Sequence, residues 1–301
     1  MKYLILLTGI ISIFIVTLIN FYPEEVKDFV NNIIGKEEYV IATANDYYLE
    51  GNFEYIQNWT DDVSNKKELL NYIYHVINTG SDYADGECTK EYTNCAKDLH
   101  DIANDTETLS LINNFVHPYN SFKTISFTYN EKGGKFSLLI EHIYNQEEIT
   151  AINYVVETKI NDVITDTMTT EAKIKKIHDY VIDSTKYDTL KKDNIYDDTY
   201  KSNTAYGVLI EGYGICSGYS DTMSIFLNKL GIENYKISNE THIWNLVHIN
   251  GKWVHLDSTW DDPISNRNLN RDTYFLIDYD ELTKLEDDTH SFNKQIYTEA
   301  Y

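Results

Sequence analysis

Residues 241–262, with the sequence THIWNLVHINGKWVHLDSTWDD, decide the fold of this chain. Two runs of alternating apolar and polar residues flank Asn250-Gly251, a dipeptide that strongly favours a two-residue β-hairpin turn. A turn at that point sets residue 244 opposite Asp257. It also makes His242 a diagonal neighbour of Asp257 on the same face, with Cα atoms about 7–8 Å apart. The stretch therefore predicts an antiparallel hairpin whose open end carries a histidine and a carboxylate within reach of each other.

The face that holds this pair also holds His248 and His255. His248 lies too far along the strand to meet Asp257, and His255 points parallel to Asp257 from two residues away. His242 and His255 are about four residues apart along the ladder, roughly 13 Å, so one metal ion cannot bind both. A His248–His255 pair lacks an obvious third ligand, and we predict no metal site. The alternative to a catalytic pair is a hairpin in which the histidines and tryptophans only pack.

The sequence GYGICSGYSDTMSIFLNKLG at residues 212–231 predicts a helix that begins at or just before Cys216. Its apolar residues from Tyr219 onward have helical spacing, and Gly231 is a typical C-terminal stop. The unpaired N–H groups and the positive end of the helix dipole favour a thiolate at Cys216. The alternative is a small buried cysteine that packs as a hydrophobic residue. A nucleophile at a helix start, followed by a hairpin with a His and an Asp, favours the catalytic interpretation.

Three segments, GYGICSGYSDTMSIFLNKLGI, HIWNLVHINGKW and HLDSTWDDP, resemble in this order the Cys, His and Asp motifs of the transglutaminase-like superfamily. Residues 173–188, 205–212 and 272–284 resemble that family as well. The resemblance therefore extends over most of the C-terminal half of the chain.

This resemblance implies that Cys216 is the nucleophile, His242 the base and Asp257 the acid that orients the base. It also implies an α+β fold with a papain-like core, in which the Cys-bearing helix packs on an antiparallel sheet. The sequence has no EF-hand-type loop, so we do not expect the calcium dependence of the animal enzymes. We predict no cofactor.

One part of the family pattern is missing. Papain-like proteases use a Gln upstream of the Cys as an oxyanion donor, and animal transglutaminases use a Trp. This chain has no Gln between residues 147 and 215 and no Trp between residues 60 and 243. The backbone N–H of Cys216 and a tyrosine are the remaining donors. The candidate tyrosines are Tyr206 and Tyr213. With Trp244, they are our candidate oxyanion or substrate contacts.

The N-terminal segment carries a prediction of location. Residues 3–23 have no charge, are rich in Leu, Ile, Val and Phe, and are long enough to span a bilayer. Lys2 before them and Glu24 after them favour an uncleaved signal anchor with the rest of the chain outside the cytoplasm. A cleaved signal peptide is the alternative. We expect a cell-membrane protein with one N-terminal span and an extracytoplasmic catalytic domain, or a secreted protein.

The apolar N-terminal segment and the family motifs divide the chain into three predicted parts. Residues 1–23 are a signal anchor or signal peptide, 24–165 an N-terminal α+β region, and 166–301 the transglutaminase-like catalytic domain. Within the second part, residues 24–115 have a mostly helical pattern. Residues 122–145 predict two strands joined by a hairpin turn.

The three cysteines suggest one bond and one free thiol. Cys88 and Cys95 lie close together in a stretch rich in Asp, Gly and Thr, whereas Cys216 stands alone. An even pair with one odd cysteine is typical of a small disulfide loop plus a free thiol. Three reduced thiols are the alternative.

Acidic residues outnumber basic ones by 48 to 25, which gives a formal net charge of −23. This charge excludes electrostatic binding to nucleic acid or to an anionic membrane surface as the main activity. The sequence predicts a thiol enzyme that transfers acyl groups from amides of protein or peptide substrates to an amine or to water, by cross-linking or deamidation. A cysteine protease of the same fold and a catalytically inactive cell-surface binding module are the alternatives.

Overall fold

A computed structural model provides the structure, and it describes residues 39–301 except 52, 54, 57, 58, 61, 131–133, 263–270 and 286–287. The α-helices of this part of the chain are α1 (Lys66–Thr79), α2 (Cys95–Asn104), α3 (Thr106–Ile112), α4 (Gln146–Val163), α5 (Thr170–Ser184), α6 (Thr189–Asp193), α7 (Cys216–Lys229) and α8 (Tyr279–Lys284). Its strands are β1 (Tyr83–Glu87), β2 (Phe122–Asn130), β3 (Lys135–His142), β4 (Lys186–Tyr187), β5 (Tyr213–Gly214), β6 (Asn234–Ser238), β7 (Ile243–Ile249) and β8 (Lys252–Leu256). This mixture of helices and sheets confirms the α+β class.

The sheet that carries the histidine hairpin has the order β6–β7–β8, and both pairs are antiparallel. Asn250 and Gly251 have φ values of 52° and 76°, the left-handed backbone that a two-residue type I′ turn requires. Asn245 pairs with Leu256, so the register predicted from the Asn-Gly dipeptide is confirmed. The open end of the hairpin therefore brings residues 242 and 257 to the same edge of the sheet.

Helix α7 packs on this sheet and carries Cys216 as its first residue. The side-chain amide of Asn245, on β7, donates to the Ser220 carbonyl of the helix at 3.0 Å. Gly218 lies where an added Cβ would come within 2.3 Å of the Ser202 carbonyl oxygen, so a larger residue would push the helix start outward. These contacts fix the first turn of α7, and with it the cysteine, against the sheet.

A second sheet has the order β1–β3–β2. Strands β2 and β3 form the hairpin predicted within residues 122–145, although residues 131–133 of its turn lie outside the described residues. Strand β1 was not predicted, and it interrupts the helical pattern expected over residues 24–115. Its sequence is polar, and an added Cβ on Gly86 would come within 2.2 Å of the Phe136 ring. Pairing and packing against β3, rather than its own pattern, make this segment a strand.

Two hydrophobic clusters form the core of the described residues, and each takes residues from both sides of the predicted 165/166 domain boundary. Ile73 and Trp244 belong to one cluster, and Ile152 and Met223 belong to the other. Residues 42–301 form one compact unit, within which the predicted boundary falls. The division at 165/166 stays a prediction.

None of the helices that the structure describes is long and apolar enough to cross a membrane. On this finding we correct the predicted localisation, a cell-membrane protein held by one N-terminal span. The apolar segment on which that prediction rested, residues 1–23, lies outside the described residues.

Candidate active site

Cys216 lies at the N-terminus of α7 as a partly exposed, free thiol. Ile215 before it is extended, and its N–H donates to the Ser202 carbonyl at 2.8 Å. The first turn of a helix leaves backbone N–H groups without acceptors inside the helix. The thiol therefore stands beside donors that a carbonyl oxygen can use.

His242 and Asp257 meet at the open end of the hairpin. His242 Nε2 lies 2.5 Å from Asp257 Oδ2, and both side chains are buried. The other carboxylate oxygen accepts the backbone N–H groups of Thr259 and Trp260, at 2.8 and 3.2 Å. The Asn239 side chain accepts the backbone N–H of His242 at 2.9 Å. Both partners are thus held in place by the loops that follow β8 and precede β7.

Electrostatics couple His242 to both Asp257 and Cys216. Burial alone would lower the pKa of His242, but hydrogen bonds with Asp257 and Cys216 outweigh it and raise the pKa to about 10. Burial would raise the pKa of Asp257, but hydrogen bonds from His242 and His290 hold it below its usual range. Because Nε2 is bonded to Asp257, Nδ1 is the ring nitrogen left for the thiol. His242 is thus hydrogen-bonded to Asp257 and interacts with Cys216, so the three residues named from the sequence are neighbours.

His290 is a fourth residue of the candidate site, in addition to Cys216, His242 and Asp257, and the sequence did not indicate it. Its Nε2 lies 2.8 Å from the same Asp257 Oδ2, and its ring stacks on Tyr274 with centroids 4.5 Å apart. It comes from the short turn Asp288–His290, 33 residues after Asp257. That segment has no periodic pattern, so no signal in the sequence pointed to it.

In the part of the chain that the structure describes, two groups of side chains have ligand atoms close enough together to hold a metal ion. In the first, His242, Asp257 and His290, the ring nitrogens are already hydrogen-bonded to the carboxylate, so an ion would have to displace these bonds. The second comprises His178, Asp179 and Asp272, and the Lys175 ammonium pairs with both of its carboxylates. Neither arrangement favours a metal ion over the groups already bonded there.

Residues 157–258 match the family model of the transglutaminase-like superfamily. The match covers 102 of the 301 residues and supports the transglutaminase-like superfamily for this part of the chain. A solved structure titled "Crystal structure of a TGase" has a TM-score of 0.36 and 18% identity with the chain, over 49% of this chain and 46% of that one. The comparison with curated proteins gives no match. The family match supports an enzyme of the cysteine acyl-transfer or protease kind.

In this transglutaminase-like segment, Trp244 does not present its indole N–H to Cys216. The ring is fully buried and stacks on His242, with centroids 5.5 Å apart. Its N–H donates to His255 Nδ1 at 3.0 Å, and His255 Nε2 donates to the Ala300 carbonyl at 3.1 Å. Burial lowers the pKa of His255 to about 4. Trp244 and His255 therefore form a neutral, sealed pair in the middle of the hairpin.

The two tyrosines named as oxyanion contacts have other neighbours. Tyr213 stacks on Tyr200, with ring centroids 3.9 Å apart. The Lys201 ammonium lies over the Tyr206 ring, 5.1 Å from the centroid of that ring. Neither belongs to the cavity that His242 lines.

That cavity has a volume of about 520 Å³ and opens beside His242. Its lining combines aromatic, hydroxyl and charged side chains: Tyr187, Lys192, Thr241, His242, Thr259, Trp260, Asp262 and Thr289. An exposed tryptophan next to the candidate base offers an apolar surface for a substrate side chain. Tyr187 is the one tyrosine among the described residues of this lining, and the sequence did not single it out.

The remaining predicted pair, Cys88 and Cys95, lies at the end of β1 and the start of α2. Its sulfur atoms are 2.01 Å apart, the length of a disulfide bond. Cys216 is the free cysteine. The thiol of the candidate site therefore has no disulfide partner in this arrangement.

Proposed function

We propose that this protein is a transglutaminase-like cysteine acyltransferase that acts on amide groups of protein substrates. The observation that carries the proposal is that His242, which lines a cavity, is hydrogen-bonded to Asp257 and interacts with Cys216. A thiol, a base and an acid that orients the base are what nucleophilic attack on an amide requires. The family match of residues 157–258 supports the same chemistry.

In the first half of the reaction, His242 Nδ1 already holds the proton of the Cys216 thiol, and the sulfur attacks the amide carbonyl carbon. The S–C bond forms, and the carbonyl π electrons move to the oxygen. When the C=O bond re-forms, the C–N bond breaks and the leaving nitrogen takes the proton from His242. Because the pKa of His242 is raised to about 10, the ring holds that proton at neutral pH until the leaving group takes it.

In the second half, His242 removes a proton from the acceptor, which attacks the thioester and releases Cys216. A lysine-type amine as acceptor gives a cross-link, and water gives deamidation or peptide hydrolysis. The first half is common to a transferase and a protease, so the acceptor decides the outcome. Asp257 keeps His242 oriented in both halves and stabilises its charged form.

The test incubates the full chain with dimethylated casein, as the glutamine donor, and a biotinylated pentylamine. Mass spectrometry then follows amine incorporation, deamidation and fragment release, with Cys216→Ala and Cys216→Ser as controls. We expect incorporation that disappears in both variants. Fragments or deamidation without incorporation, again dependent on Cys216, would make the protein a hydrolase. If no product depends on Cys216, the enzyme proposal is wrong and a binding module is the better account.

A further inference from the structure

Tyr187 is placed next to the nucleophile by backbone pairing. Strand β4 runs parallel to β5, with Tyr187 opposite Gly214, and β5 leads into α7 at Cys216. The N–H of Asp188 donates to the Gly214 carbonyl at 2.9 Å. Tyr187 therefore has a fixed backbone beside the segment that delivers the thiol.

The side chain of Tyr187 is half-buried and lines the same cavity as His242. Other tyrosine hydroxyls around α7 are bonded: Tyr144 donates to Asp221 at 2.6 Å and Tyr219 donates to Asp262 at 2.5 Å. Among the described residues, nothing accepts or donates a hydrogen bond at the Tyr187 hydroxyl. A donor without a protein partner in this cavity is available to a ligand.

The protonation state of Tyr187 indicates which ligand atom its hydroxyl can bind. Burial raises the pKa of Tyr187, and the nearby Cys216 and Asp257 raise it further. The phenol is thus a neutral donor at physiological pH, and it lies within the electrostatic range of the reacting sulfur. Such a donor stabilises negative charge that develops on an oxygen next to that sulfur.

We propose that the Tyr187 hydroxyl, together with the backbone N–H of Cys216, donates a hydrogen bond to the oxyanion of the tetrahedral intermediate. The inference rests on the proposed function. The oxyanion forms when the S–C bond of the first half-reaction pushes the carbonyl π pair onto oxygen, and it disappears when the C–N bond breaks. Tyr187 transfers no proton in this step. It takes the role that the sequence had assigned to Tyr206 or Tyr213.

The test compares two reactions of Cys216 in wild type and in Tyr187→Phe. Amine incorporation into dimethylated casein passes through the oxyanion. Alkylation by iodoacetamide is a substitution at a saturated carbon and forms no oxyanion. We expect Tyr187→Phe to slow incorporation by about 10²–10³-fold and to leave the rate of alkylation close to that of wild type. Tyr213→Phe removes the same hydroxyl from the neighbouring strand and should leave both rates nearly unchanged.

Three outcomes overturn the inference, and they are distinguishable. Unchanged incorporation in Tyr187→Phe contradicts the role of Tyr187 alone. Equal loss of incorporation and alkylation shows that Tyr187 acts on the thiol or on the fold, because alkylation reports an intact site. If wild-type protein shows no Cys216-dependent acyl transfer, the proposed function fails, and the inference fails with it.

Discussion

The open end and the middle of the β7–β8 hairpin each present a histidine on the same face, and their surroundings differ sharply. At the open end, hydrogen bonds with a carboxylate and a thiol raise the pKa of His242 to about 10, against the effect of burial. In the middle, burial lowers the pKa of His255 to about 4. Both rings are almost completely buried, so burial alone cannot account for the difference.

The bonding partners account for it. His242 faces the Asp257 carboxylate, which stabilises an added proton, whereas His255 accepts the Trp244 indole N–H, which occupies the nitrogen where a proton would bind. A histidine that can gain and lose a proton suits catalysis, and one whose two nitrogens are both committed suits packing. The proposed acid–base chemistry therefore belongs to the open end of the hairpin, and the middle of the hairpin gives structural support.

The largest expected effect separates these two histidines by the same substitution. We expect His242→Gln to slow amine incorporation by about 10²–10⁴-fold, since it removes the general acid–base group. His255→Gln should lower the free energy of unfolding by about 1–3 kcal/mol, since it disturbs a buried hydrogen-bonded pair, but leave the rate close to that of wild type. Rates of amine incorporation check the expected effects on catalysis, and chemical denaturation checks the expected loss of stability. Equal rate losses in the two variants would contradict the proposed difference in role between His242 and His255.

A smaller effect is expected at His290, whose N–H shares the Asp257 oxygen with His242. His290→Leu leaves part of that buried carboxylate unbonded and lets it shift, so we expect a rate about tenfold lower, or about 1.4 kcal/mol in the barrier. His290→Gln keeps a donor and should retain more of the rate. Steady-state kinetics of both variants decide the point, and a wild-type rate in His290→Leu would show that Asp257 does not need its second histidine.

The pH dependence of stability should have opposite signs for the two histidines. An unfolded histidine has a pKa of about 6.5. Folded His242 binds its proton more tightly, so its stabilisation is complete below that pH and is lost as the pH rises towards about 10. Folded His255 binds its proton less tightly, so stability is lost as the pH falls from about 6.5 towards the folded value of about 4.

Denaturation curves between pH 4 and pH 10 test these signs. The alkaline slope, at most about 1.4 kcal/mol per pH unit for one group, should shrink in His242→Gln. The slope on the acid side should shrink in His255→Gln. An unchanged alkaline slope in His242→Gln would mean that His242 is not paired as the structure has it.

The smallest effect is expected for Trp244→Phe. This change keeps an aromatic ring against His242 and removes the N–H that His255 accepts, so we expect a loss of about 1 kcal/mol in the free energy of unfolding. The rate of incorporation should stay near that of wild type. A large loss of rate with little loss of stability would restore Trp244 as a substrate or oxyanion contact.

Sequence patterns predicted the parts of this site that depend on regular structure. The Asn-Gly turn sets the hairpin register, and therefore the His242–Asp257 pair, because a two-residue turn leaves one alignment of the strands. Helical spacing after Cys216 places the thiol at a helix start for a similar reason. Family motifs pointed to the same three residues.

The rest of the site depends on tertiary contacts that no local pattern encodes. His290 comes from an irregular turn, and Tyr187 comes from a two-residue strand that exists only through its pairing with β5. In the second sheet, β1 is polar and is a strand only because β3 pairs with it. Trp244 was placed on the correct face, but periodicity does not show which partner takes its N–H.

The most direct test of the central claim is to look for the covalent intermediate on Cys216. The protein is mixed with dimethylated casein without an amine acceptor, quenched in acid within the first turnover, digested, and analysed by mass spectrometry. We predict a thioester on the peptide that contains Cys216 in wild type, removed by added amine and greatly reduced in His242→Gln but not in His255→Gln. Product formation without an adduct on Cys216, or with equal adducts in the two histidine variants, would contradict the account.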